Sequence, residues 1–216
     1  MKKFLIPIFL ILLCGTAHAD SWYDTVNAST DDVDWSIDAT PDTTMYLTGA
    51  AIYLSPANVS AGSGAAFRFL TCPIPAGATI LACSCGYQSN AASTHEGVTS
   101  IFSFEDTADA ATFSDKADLG ARHWTTAVDT AALPTFAANT RYWVIVDNAV
   151  FQEVIDRADW EEGNDIAYRT VRGVEVAGQA KTLAWDYTQD YCAELRVYFT
   201  TGGAPAATRR RVMLLK

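Results

Sequence analysis

The sequence predicts an all-β fold, a sandwich of sheets with one short helix, and three observations carry the prediction. Thr, Val, Tyr, Phe and Trp recur in short runs, the runs are apolar throughout or alternate apolar with polar, and clusters of Gly, Pro, Asn, Asp and Ser separate them. The runs are Met45 to Leu54, Ala65 to Thr71, Ala78 to Tyr87, Val98 to Phe104, Tyr142 to Val146, Asp165 to Val171 and Cys192 to Thr200. In the last, Ala193, Leu195, Val197 and Phe199 alternate with Glu194, Arg196 and Tyr198, which puts one side in a core and the other in water. Pro56, Pro73, Pro75 and Pro134 fall between runs, where a missing backbone donor breaks no ladder. One segment changes period: Val150, Phe151, Val154, Ile155 and Ala158 recur at three and four while Gln152, Glu153, Asp156 and Arg157 take the other side. Residues 150–158 are therefore expected to form a short amphipathic helix, followed by Trp160 and the turn Glu161-Glu162-Gly163-Asn164.

The chain of 216 residues is 50% hydrophobic and 19% charged. It has the apolar material for one core, and intrinsic disorder does not describe it. With 15 Lys+Arg against 25 Asp+Glu the net charge is −10, which argues against nucleic acid or an anionic membrane surface as the main partner. Basic ligands, neutral glycans and cations remain. Residues 1–19 read as an export signal: Lys2 and Lys3, an apolar run from Phe4 to Leu13 broken only by Pro7, and the small-residue pattern Ala17-His18-Ala19. That run is shorter than the roughly 20 residues a bilayer span needs. The expectation is a secreted, extracellular protein, with the periplasm or cell surface as alternatives and the virion if the chain is phage-encoded, and with no membrane span. Residues 20–201 would form the sandwich domain. Residues 202–216 would form a flexible basic and apolar tail, in which Arg209-Arg210-Arg211 precede Val212-Met213-Leu214-Leu215.

Four cysteines follow the signal: Cys72, Cys83, Cys85 and Cys192. An even count in an exported chain predicts disulfides, with three connectivities open. Cys83 and Cys85 stand two apart in an expected strand, so they share a face and do not readily bond each other. Each is expected to staple its strand to a neighbour. Zinc is disfavoured, since the Cys83–Cys85 spacing is tighter than the usual Cys-x-x-Cys pair and His95 and His123 are the remaining histidines.

Catalysis finds little support. The chain has no Gly-x-Ser-x-Gly elbow, His95 lies in a polar stretch, and His123 stands between Arg122 and Trp124. Glu105, Asp106, Glu153 and Glu175 could supply a carboxylate pair for glycoside hydrolysis, but an acidic chain offers such pairs by chance. The chain is expected not to be an enzyme. A structural calcium ion is the more serious chemistry: Glu105, Asp106 and Asp109 fall within five residues at a strand end, and hard cations want several oxygens from such a loop. The same side chains can instead cap a turn, which is the preferred reading. Sugar binding needs exposed rings flanked by amides and carboxylates. Trp22, Trp35, Trp185 and Tyr187 lie in polar surroundings, and the stretch from Trp185 to Tyr191 has the composition of a binding loop, with Trp185, Tyr187, Gln189 and Asp190 as candidate ligand contacts. Trp124, Trp143 and Trp160 are assigned to the core or its rim.

The segments F-R-F at 67–69, I-P-A-G-A-T-I at 74–80, E-D-T-A-D-A-A-T-F-S at 105–114, F-Q-E-V-I-D-R-A-D-W-E-E-G-N at 151–164 and A-E-L-R-V-Y-F at 193–199 resemble, in this order, a jelly-roll domain of exported bacterial and phage structural proteins. The domain is similar to the DNRLRE-type and galactose-binding-like sandwiches. Cys83 and Cys85 depart from it where ordinary apolar residues are expected, as does Ala158 where proline is common. The resemblance implies a jelly-roll sandwich without catalysis, a module that binds glycan or cell-surface polysaccharide or mediates adhesion. The alternative is a structural component of a phage virion or surface assembly, with other copies of the chain or virion proteins as partners.

Overall fold

The computed structural model describes residues 19–37, 43–55, 63–89, 92, 98–173 and 180–201. The signal segment before Ala19, Pro56, His95, Glu175 and the tail 202–216 lie outside them. The strands are β1 (Ala19–Thr25), β2 (Asp32–Ile37), β3 (Thr43–Tyr46), β4 (Ala51–Ser55), β5 (Gly64–Phe69), β6 (Thr79–Gln88), β7 (Thr99–Phe104), β8 (Asp129–Ala132), β9 (Arg141–Val146), β10 (Ile166–Arg172), β11 (Ala180–Leu183) and β12 (Glu194–Thr200). Two helices interrupt them, α1 (Lys116–Ala121) and α2 (Asn148–Ile155). Neither is long and apolar enough to cross a membrane.

All pairings are antiparallel, in a four-stranded sheet β1-β12-β6-β9, a six-stranded sheet β3-β2-β5-β10-β7-β8 and a small pair β11-β4. The all-β sandwich expectation holds, and every predicted run overlaps a strand. Met45 to Leu54 contains parts of two, because the chain turns at 47–50 between β3 and β4. The runs missed β1, β2, β8 and β11, whose sequences carry acids or small residues where a solvent-facing loop would have them. β1 begins at Ala19, the residue that closes the predicted cleavage pattern.

The main core lies between the large sheets. Phe67, Phe69, Phe102, Phe104 and Tyr168 from the six-stranded sheet meet Ile80, Cys83, Tyr87, Val144, Leu195 and Val197 from the four-stranded one. Tyr168 is its centre: it stacks on Phe69 at 5.7 Å, tilts against Phe67 and Phe104, and donates its hydroxyl to that of Tyr87 at 3.1 Å. That buried pair satisfies both phenols where water cannot reach. α2 closes one side with Val150, Phe151, Val154 and Ile155. It starts two residues before the predicted segment because the Asp147 carboxylate accepts the Ala149 amide at 2.9 Å, and it stops at Ile155.

A second, smaller cluster covers the opposite face of the six-stranded sheet. Val33, Trp35, Ala66 and Ala167 from the sheet pack with Ala110 and Phe113 from the β7–β8 connection. β5 therefore has a core on both sides, with Ala65 and Phe67 facing one cluster and Ala66 the other.

The disulfide expectation is corrected. Cys72, Cys83, Cys85 and Cys192 are all free and all buried. Cys83 and Cys85 share the inward face of β6, and the Cys192 thiol donates to the Gln189 and Val26 carbonyls at 3.3 and 3.4 Å. Burial pushes the thiols of Cys72 and Cys85 up to about 12 and that of Cys192 to about 11. They act as small apolar side chains, and an even count carried no information about pairing.

Candidate functional site

The predicted binding loop, 185–191, joins β11 to the approach of β12. Its first residue is anchored: Trp185 is half-buried against the main core, and its amide donates to Asp32 Oδ2 at 2.8 Å. The Tyr187 and Thr188 amides turn back onto the Ala184 carbonyl at 3.1 and 3.4 Å. Asp186 Oδ2 accepts the Ser29 hydroxyl at 2.9 Å and the Gly49 amide at 3.4 Å, so the turns near 29 and 49 are drawn beside the loop. On this fixed base Tyr187 is 63% exposed and Tyr191 51%, with Gln189 and Asp190 also in solvent. Of the four candidate contacts, Tyr187, Gln189 and Asp190 are therefore accessible, and Trp185 serves mainly as the anchor. Trp35 is not available, being buried in the second cluster, and Trp22 packs partly buried on the main core.

Beneath the loop is a group of carboxylates that composition alone did not single out. Asp31, Asp32 and Asp34 at the start of β2 are all buried. Asp31 is neutralised by Arg68 at 2.7 Å. Asp34 Oδ2 accepts the Tyr53 amide at 2.8 Å. Asp32 is completely buried, its Oδ2 holds Trp185, and its Oδ1 has no partner. Burial is the main force on both acids, against the pull of the backbone amides: it raises Asp32 to about 7, with Asp186, Asp31 and Asp34 adding like charge, and Asp34 to about 6. The available signal was the alternation Asp-Val-Asp-Trp, which the predicted runs passed over and whose two sides both prove to be covered.

The proposed calcium residues are spread among separate partners. Glu105 accepts Arg122 at 2.7 Å, Asp106 accepts Arg157, and Asp109 accepts the Asp165 amide at 2.9 Å. Among the described residues no three His, Cys, Asp or Glu side chains form a group that could hold a metal ion. Arg122 is the organiser here. Its side chain is only 4% exposed, it also bonds Asp118 and the Thr112 carbonyl at 2.9 Å each, and it lies 4.5 Å over the Phe113 ring. Burial raises the Glu105 carboxyl and Arg122 opposes that, whereas at the more open Asp118 the bonds from Arg122 and Ser114 outweigh burial and lower it. Glu105, Asp106, Thr107, Asp118, Ala121, Arg122 and His123 line an open cavity of about 270 Å³. His123 is exposed at this cavity. Glu153, weighed for glycoside hydrolysis, accepts the Thr126 and Ala127 amides at 2.8 and 2.7 Å and so fixes a turn.

Of the remaining tryptophans, Trp160 and Trp124 sit in the core or at its rim as expected, whereas Trp143 lies on the outer side of the four-stranded sheet, in neither core cluster. Trp160 is buried with its indole N–H on the Ile74 carbonyl at 2.9 Å, Trp124 lies under Arg169 at 4.5 Å, and Trp143 is sandwiched between Arg196 at 4.2 Å and Gly86. A Cβ at Gly86 would come within 2.9 Å of that ring, so glycine is what lets Trp143 lie flat. A scan against protein-family models returns no match, and neither does a search of curated proteins.

Proposed function

We propose that the chain is an exported, non-catalytic module that binds carbohydrate through the 185–191 loop. The observation that carries this is the contrast within the loop: Trp185 and Asp186 are bonded down, while Tyr187 and Tyr191 expose most or half of their rings beside Gln189 and Asp190. Rings carried on a bonded-down backbone cost less ordering when a pyranose face stacks on them, and the neighbouring amide and carboxylate suit its hydroxyls. The strand order supports the jelly-roll form of sandwich. Counted without β2, β3, β4 and β11, the eight strands run 1-8-3-6 in one sheet and 2-7-4-5 in the other. The test is binding of the protein to a glycan array and to insoluble polysaccharides. Saturable binding that disappears with Tyr187→Ala or Tyr191→Ala supports the reading, and binding indifferent to both places the site elsewhere.

A structural role in a virion or surface assembly is the second reading. It is favoured by the outer side of the four-stranded sheet, where Tyr23, Ile145 and Tyr198 are exposed at 70, 77 and 43%. Light scattering of the full chain decides it: a defined oligomer that Ile145→Asp disperses supports assembly, and a monomer at high concentration removes it.

A further inference from the structure

We propose that Asp32 is a proton-operated latch for the 185–191 loop: as a neutral acid it holds the loop through the Trp185 amide, and as an anion it drives the loop off. The inference rests on the loop being the binding site only for its functional meaning. The latch itself stands on geometry.

Asp32 opens β2, is completely buried, and makes one hydrogen bond, to the first residue of the loop. Its other oxygen has no partner. The charged and titratable groups facing it come from three places. From its own strand and the residue before it, Asp34 accepts the Tyr53 amide and feels Lys181, and Asp31 is held by Arg68. From the loop comes Asp186, which has a hydroxyl and an amide as donors and no ion pair among the described residues. After the loop comes Cys192, whose thiol is raised by burial and then by Asp32. Asp186, next to the residue bonded to Asp32, thus adds like charge to it, and neither acid has an ion pair among the described residues. Ionising Asp32 puts a second negative charge near Asp186 inside a poorly solvated space, and a single amide donor does not offset both effects. Lifting the loop relieves both at once, because it admits water to Asp32 and carries Asp186 away.

The sign follows from linkage. The closed loop keeps the Asp32 proton up to about pH 7, whereas an opened, hydrated Asp32 loses it near pH 4. Opening therefore becomes roughly tenfold more favourable per pH unit between those limits and levels off above them. Below pH 4 the latch is fully engaged.

The experiment is amide hydrogen exchange on the full chain, reading the protection factor of the Trp185 amide, which already corrects for the intrinsic pH dependence of exchange. Protection should fall by roughly tenfold for each pH unit between pH 5 and 6.5. Asp32→Asn keeps an acceptor for the amide and removes the charge, so its protection should be high and flat. Asp186→Asn should weaken the pH response without abolishing it. Flat protection in the unmodified protein, an unchanged slope in Asp32→Asn, or a parallel loss at the core amides of Phe102 and Tyr168 would overturn the latch. Glycan binding at one fixed pH is read separately. Binding with flat protection removes the latch and leaves the binding reading, and pH-dependent protection without binding does the reverse.

Discussion

Two groups of carboxylates, one gathered on arginines and one at the start of β2, are built on opposite principles. On one side Glu105, Asp106, Asp118 and Asp165 each bond an arginine, from Arg122, Arg157 or Arg68. On the other, Asp32 and Asp34 are bonded only by backbone amides, and their carboxyls stand at about 7 and 6. The first arrangement ties the β7–β8 connection down through ion pairs to Arg122 and Arg157. The second makes the packing beneath the 185–191 loop depend on protons. Burial raises both Glu105 and Asp32, and only Glu105 has a guanidinium to oppose the rise.

Removing that guanidinium is the strongest way to break the comparison. Arg122→Ala leaves Glu105, whose side chain is 10% exposed, without its counter-charge, frees Asp118, and uncovers Phe113. A loss of about 3 kcal/mol is expected, read from the urea midpoint, because an uncompensated buried charge is costly. Arg122→Lys should recover part of it, since an ammonium cannot span Glu105, Asp118 and the Thr112 carbonyl together. Equal stability of all three proteins would show that Arg122 is only a surface ion pair.

The opposite result is expected across β2. Asp32 has a folded pKa raised above its unfolded value, so the folded state holds the extra proton and the resulting stability is complete below about pH 4 and lost as pH rises to about 7. Asp32→Asn should therefore be about as stable as the unmodified protein at pH 4 and more stable at pH 8, by on the order of 2 kcal/mol. Asp34→Asn should show the same sign with a smaller gain that saturates near pH 6. Thermal melts at the two pH values check both. A destabilised Asp32→Asn at pH 8 would mean that the charge itself is needed.

Much of the fold was legible in the sequence because its signals are local. β12 announces itself by strict alternation, α2 by spacings of three and four, and the prolines by their places between runs. What was not legible depends on partners distant along the chain. Asp32 and Asp34 alternate with Val33 and Trp35 as on any half-exposed strand, but Ala110 and Phe113 cover the Val33 side while the acids, on the side of Ala65 and Phe67, lie under the Tyr53 and Trp185 amides. Glu105 and Asp106 look like cation ligands until Arg122 and Arg157, 17 and 51 residues further on, arrive to neutralise them. The cysteines mislead for a related reason: counting suggests pairs, while the register of β6 against β12 and β9 places Cys83 and Cys85 in the core, where Cys72 and Cys192 are buried too. The exposed loop was the easier part, since a run of Asp, Thr, Gln and Tyr between two strands has no core to enter.

That loop gives the smallest expected effect on stability. Tyr187 holds its ring in solvent and contributes to the turn through its backbone amide, which alanine keeps. Tyr187→Ala should therefore shift the unfolding free energy by less than about 0.5 kcal/mol, at pH 5 and at pH 8 alike, while abolishing saturable polysaccharide binding. Trp185→Ala provides the contrast within the same loop: it keeps the amide donated to Asp32 but removes the indole packed on the core, so it should lose stability as well as binding. If Tyr187→Ala proved as destabilising as Trp185→Ala, the ring would be part of the loop's support, and the separation of anchor from contact surface would fail at its first residue.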